Sequence, residues 1–192
     1  MNYFKAGFFL LITTLSYSQN DIPWDGKYQL QSSDFQSSAT QIGSETVYSL
    51  HTASSMEFSF YMSNFAFMLT KNFNSKVSNT FKRDAASLVA PTAELATDLV
   101  SFAQFEFDLS EFYARKFRKK LYEEKGAFSN ISFFKPLFDN IQKEMVERDT
   151  NAGKATDLGR KKEKLQALHE EVLKEIQELN DFCKECQPPK KK

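Results

Sequence analysis

The stretch Phe102-Ala103-Gln104-Phe105-Glu106-Phe107-Asp108-Leu109-Ser110-Glu111-Phe112-Tyr113-Ala114-Arg115-Lys116-Phe117-Arg118 sits inside a longer run with one regular spacing. Leu95, Leu99, Phe102, Phe105, Leu109, Phe112, Tyr113 and Phe117 recur every three or four residues, which is the period of one helix face. Thr92, after Pro91, is a suitable N-cap, and Glu94 adds an acid to the first turn. Arg115, Lys116, Arg118, Lys119 and Lys120 gather towards the far end, where the helix dipole favours cations, and Gly126 stops the run. The spacing predicts a long helix over 92–125.

Outward from that helix, the C-terminal side reads as two more helices. One runs from about Phe133 to Arg148, with Pro136 in its first turn, where proline is tolerated. The other runs from about Asp157 to Phe182, with Leu165, Leu168, Val172, Ile176 and Leu179 as a single apolar stripe. The N-terminal side reads as strand. Met56, Phe58, Phe60 and Met62 alternate with Glu57, Ser59 and Tyr61, and Phe65, Phe67 and Leu69 repeat the alternation, so a hairpin is expected there. Thr46 to His51 gives a third strand, and 72–90 has no clear period. The expected fold class is α+β: a small antiparallel sheet over about 27–81, packed on the long helix, plus two further helices.

Residues 1–18 have the form of a secretory signal. Lys5 precedes the uncharged run Gly7–Leu15, and Ser16 and Ser18 occupy the small-residue positions before a cut that leaves Gln19 first. The run is about half the length of a bilayer span, which takes about 20 apolar residues. Without residues 1–18 the chain has 24 basic and 25 acidic side chains, a net charge of −1. No global basic field draws such a chain onto nucleic acid or anionic lipid. Residues 19–185 are read as one domain and 186–192 as a solvated, lysine-rich tail. No later segment is long and apolar enough to cross a membrane, and export to the periplasm or medium is the expected localisation.

The central stretch resembles the bacterial domain of unknown function 922, described as a family of secreted zinc-dependent proteases. The family pattern is H-E-Q-x-H-F-D-I-x-E-x-x-A-R-x-x-R, and Phe107, Asp108, Leu109, Glu111, Ala114, Arg115 and Arg118 match its second half. Ile22-Pro23-Trp24, Leu30 and Asp34-Phe35 resemble the family's opening, and Asp149-Thr150-Asn151-Ala152-Gly153 a later segment. The resemblance implies a zincin-like scaffold, in which Asp108, Glu111, Arg115 and Arg118 serve as ion pairs.

The departures fall on the chemistry. In H-E-x-x-H two histidines four apart present both imidazoles to one ion, and the glutamate polarises the metal-bound water. Here those positions hold Phe102, Ala103 and Glu106, and Ala152 stands where the family has a further histidine. One carboxylate remains where at least three protein ligands are needed, so no metal or other cofactor is expected. Glu106 either faces inward, paired with Arg115, Lys116 or a hydroxyl, or turns to the surface. A remnant metal site on Glu106 and Glu111 is a third course.

The other chemical candidates are few. His51 lies in a strand pattern, and His169 is expected on a helix surface. Cys183 and Cys186 form a C-x-x-C at a helix C-terminus; a local disulfide is the leading reading, with redox and metal roles open behind it. The function expected is that of a non-catalytic relative of the protease family, structural or binding. The alternative is an envelope interaction protein that docks an unknown protein or peptide through the stripe of the last helix.

Overall fold

The computed structural model describes residues 20–43, 46–59, 61–126 and 129–188. The expected signal segment 1–18 and residues 189–192 of the tail lie outside the described residues. The protein is an α+β domain in which small sheets pack on helices.

The helix expected over 92–125 is α2, Ala93–Glu124, and it is the axis of the molecule. The Thr92 side chain accepts from the Leu95 amide at 3.2 Å, which satisfies a free donor of the first turn. Its middle is not an amphipathic stripe. Every residue from Phe102 to Phe117 is buried except Glu106 and Lys116, which are half-buried. A helix wrapped on all sides must hide its polar residues as well, and the buried Gln104, Asp108, Ser110, Glu111 and Arg115 are that consequence.

The strands β1 (Asp21–Pro23), β5 (Val77–Lys82) and β4 (Ser54–Phe58) form one antiparallel sheet in the order β1-β5-β4, with Ile22 opposite Phe81 and Met56 opposite Asn79. A second sheet has β6 (Ser87–Ala90) between β2 (Gln41–Ile42), which runs parallel, and β3 (Ser49–His51), which runs antiparallel. The expected single antiparallel sheet is thus two, one of them mixed. The central strand of each falls in 72–90, where the sequence shows no period. In β5 the inward positions are Val77, Asn79 and Phe81, and the polar Asn79 breaks the apolar alternation.

The expected hairpin does not form. Asn64–Leu69 is a short helix, α1, whose first turn is closed by Ser63 accepting from the Ala66 amide at 3.2 Å. Only Phe67 of this helix is buried. The run holds no β-branched residue, and a cap satisfied by its own side chain favours the helix.

Helix α3 runs from Phe134 to Thr156, eight residues beyond the expected end, and α4 covers Lys162–Glu178, a shorter span than expected. Thr150, Asn151 and Gly153 are weak helix formers, yet Ala152 is buried in the core there. The turn between the helices passes through positive φ at Asp157, Leu158 and Gly159. Leu165, Val172 and Ile176 of α4 are buried and Leu168 and Leu179 pack against the same core, so the stripe is covered within the chain. Among the described residues no helix is long and apolar enough to cross a membrane.

Candidate functional site

Helix α2 carries Phe102 and Glu106 on the side that meets α3, with Ala103 turned towards the neighbouring cluster. Phe102 is 2% exposed, with its ring centroid 5.6 Å from that of Phe105. Its edge lies against Gly153, where a Cβ would stand 3.5 Å from Phe102 Cζ and 3.4 Å from Leu158 Cδ2. Ala103 is buried in the neighbouring cluster with Leu99 and Phe107. Ala152 is buried too, and its carbonyl accepts from the Thr156 hydroxyl at 2.8 Å.

Glu106 faces inward, but none of the expected cations pairs with it. Arg115 is held by Glu111 and Lys116 by Glu144. The partner is Asp149 of α3, hydrogen-bonded to Glu106, with the Thr52 hydroxyl on the other side. Glu106 Oε2 and Asp149 Oδ1 are sealed from solvent, and neither meets an N–H or hydroxyl donor among the described residues. Two carboxyl oxygens can bond only through a proton, so one of the pair is protonated. Burial pushes Glu106 well above the usual carboxylate range and the Asp149 charge pushes it further; burial also raises Asp149. The two carboxyls therefore share one proton.

Two cavities flank the pair. The inner one, about 90 Å³, is lined by Thr52, Ser54, Ser110 and Met145 as well as the two acids. The outer one, about 310 Å³, adds Phe102, Thr150, Gly153 and Lys154. The residues at this place do not fit a zinc ion: a ring and a methyl group offer no lone pair, and the two carboxyls are engaged with one another. Among the described residues no three His, Cys, Asp or Glu side chains are grouped to hold a metal. Glu106 and Glu111 line different cavities and are not brought together.

One and two turns along α2, a buried polar spine begins. Asp108 accepts from Trp24 Nε1 at 2.6 Å, Gln104 Nε2 at 3.1 Å and the His169 ring at 2.7 Å. With the carboxylate as acceptor, His169 donates from Nε2. Glu111 Oε1 accepts from Arg115 Nε at 3.0 Å and Arg118 Nη1 at 2.8 Å. Arg118, fully buried, also donates to the carbonyls of Val77 and Phe182, and Arg115 to that of Ile176. The Arg115 guanidinium stands 5.3 Å from the Trp24 ring centroid. These four charged side chains therefore tie α2 to β1, β5, α4 and the C-terminal turn, inside the domain rather than on a helix surface.

His169 is half-buried on Asp108 rather than free on the surface, while His51 is exposed on β3. Cys183 and Cys186 are bridged. The Cys186 carbonyl accepts from Asn74 and Asn72, and Pro188 is buried, so the start of the expected tail lies on the body. Sequence reasoning missed Asp149, Thr52 and the Trp24 bond. Asp149 had a signal only in the family-like segment it opens; nothing local marks Thr52.

Fold and site together define the class: an α+β domain on a buried central helix, with a buried acid pair between that helix and α3. Compared with protein-family models, curated proteins and solved structures, the chain matches none.

Proposed function

We propose that the protein is an exported, non-catalytic relative of the secreted zinc-dependent protease family, keeping a zincin-like scaffold for a structural or binding role. One observation supports the reading: Phe102, which aligns with the first histidine of the family pattern, is a buried ring packed on Gly153 and Phe105. Burying such a ring contributes about 1.5–3 kcal/mol, so that position is stably occupied by hydrocarbon. Ala103 removes the carboxylate that would take a proton from water, and Glu106 is engaged by Asp149. The Cys183–Cys186 bridge supports an oxidising compartment.

Elemental analysis of the purified protein, with a casein cleavage assay with and without chelator, tests this. Less than a tenth of an equivalent of zinc and no chelator-sensitive cleavage are expected. Stoichiometric zinc with chelator-sensitive proteolysis would overturn it. The scaffold is tested separately by the triple change Phe102→His, Ala103→Glu, Glu106→His, which should create zinc uptake with Asp149 beside it. A folded triple variant that binds no zinc speaks against a zincin-like arrangement.

A further inference from the structure

Three buried side-chain oxygens that lack a donor belong to residues lining one cavity. Glu106 Oε2, Asp149 Oδ1 and Ser54 Oγ are sealed from solvent, and their residues line the inner cavity of about 90 Å³ where β4, α2 and α3 meet. Apart from the proton that the two acids share, no hydrogen reaches these three oxygens among the described residues. Ser54 opens β4, so its hydroxyl comes from a different element than either acid. Buried polar atoms are normally satisfied, and three orphans on one cavity mark a place for a donor from outside.

The charge of the place says which donor. Two carboxyls that share one proton carry one negative charge, and no cation among the described residues is paired with it. Arg115 is held by Glu111, Lys116 by Glu144, and Arg148, next to Asp149, by Glu175. Lys154 lines the outer cavity from the exposed side of α3, and no ion pair joins it to either acid among the described residues. A buried charge without a counter-charge is costly. Water brings protons but no charge and leaves that cost in place. Glu106 and Asp149 are the two residues common to both cavities, so the pair stands between them. On the inner side are the hydroxyls of Thr52, Ser54 and Ser110; on the outer side, in about 310 Å³, stand Phe102, Gly153 and Leu158.

We propose that the two cavities bind a small primary amine in its ammonium form, with its head among Glu106, Asp149 and Ser54 and its apolar body against Phe102 and Leu158. A primary ammonium has three N–H donors. One reaches each carboxyl through a lone pair that the shared proton leaves free, and the third reaches Ser54 Oγ. The shared proton stays, so the charge of the ligand cancels that of the pair. The outer volume lies at the low end of the range for small-molecule sites, which suits one ring or a short alkyl chain. The proposal deepens the binding role proposed above and rests on it in one respect, that no metal occupies the two carboxyls.

Isothermal titration of the purified protein with benzylammonium chloride tests it. Saturable binding with a Kd of about 1 mM or tighter is expected. Benzyl alcohol, which has the same body without the charge, and methylammonium, which has the charge without the body, should each bind at least about tenfold more weakly. The double change Glu106→Gln, Asp149→Asn leaves an amide pair that still hydrogen-bonds and removes the charge. A thermal melt shows that this variant folds, and its binding should fall at least about tenfold. Gly153→Ala leaves both acids in place and puts a Cβ 3.5 Å from Phe102 Cζ and 3.4 Å from Leu158 Cδ2, which is ordinary contact. It narrows the outer cavity and should weaken benzylammonium binding as well. No saturable binding, equal binding of benzyl alcohol, or equal binding by the folded double variant overturns the proposal. A zinc-free protein that takes up no amine sinks this proposal and leaves the proposed function standing.

Discussion

Trp24 Nε1 lies 2.6 Å from Asp108 Oδ1, a bond that joins the end of β1 to the middle of α2 across 84 residues. Asp108 takes two further donors, so the carboxylate is the common acceptor for three elements. Trp24→Phe keeps most of the ring and removes one charge-assisted bond, at a cost of about 1.5–3 kcal/mol. Asp108→Ala leaves all three donors without an acceptor and should cost at least about 3 kcal/mol. Urea unfolding followed by far-ultraviolet circular dichroism measures both, since Trp24 is the single tryptophan. A Trp24→Phe cost below about 0.5 kcal/mol would mean that the bond does not hold β1 in place.

The Glu106–Asp149 pair predicts a stability that falls as pH rises. Both carboxyls are raised in the folded protein, and the unfolded chain has ordinary values. Above the usual carboxylate range the folded state therefore binds more protons than the unfolded one, and each step upward in pH favours unfolding until the raised folded value is passed. Beyond it the pair is fully ionised and the loss levels off. The charged group facing the outer cavity is Lys154, and it does not abolish the shift. Glu106→Gln keeps a donor to Asp149 without a titrating proton, so its thermal midpoint should vary less between about pH 5 and pH 9 and exceed that of the wild type at the alkaline end. Parallel curves for the two proteins would sink the shared proton.

Glu111 is one carboxylate bonded to two buried guanidinium groups, those of Arg115 and Arg118. Removing it leaves two buried cations with carbonyls and the Trp24 ring as their remaining partners. Glu111→Ala should destabilise by about 3–5 kcal/mol. Arg115→Ala added to it should cost less than the sum of the two single changes, with a coupling of about 1–3 kcal/mol. Strict additivity in that cycle would show that the Arg115 bond contributes nothing.

How far the sequence could be read depended on where each element finds its partners. The spacing from Leu95 to Phe117 and the Thr92 cap placed α2 almost to the residue, because a helix closes its own bonds. β5 was hidden because Asn79 is an inward position, satisfied by the Phe107 carbonyl and the Ser110 hydroxyl of α2, which no local pattern reveals. Phe65, Phe67 and Leu69 alternate as a strand would, and the Ser63 cap outweighed that alternation. At the site, the positions of Phe102, Ala103 and Glu106 on one helix were legible. The Asp149 partner was not, since it depends on α3 continuing past Arg148 through residues that disfavour helix.

The turn that follows α3 offers a last test, because two glycines of similar backbone separate two causes. Gly159 has φ +95° and Gly43 has φ +92°, a region where a side chain strains the backbone by about 1–3 kcal/mol. A Cβ at Gly43 would meet nothing within 4 Å, whereas one at Gly159 would stand 2.3 Å from the Asp98 carbonyl oxygen and 3.3 Å from Phe102 Cβ. Gly43→Ala therefore carries the backbone strain alone. Gly159→Ala adds an overlap with the main chain of α2, which can be relieved only by lifting the α3–α4 turn away from Phe102. Its loss of stability in urea should exceed that of Gly43→Ala by at least about 1 kcal/mol. Equal losses would mean that the turn shifts freely, and that Phe102 is not held in its place from that side.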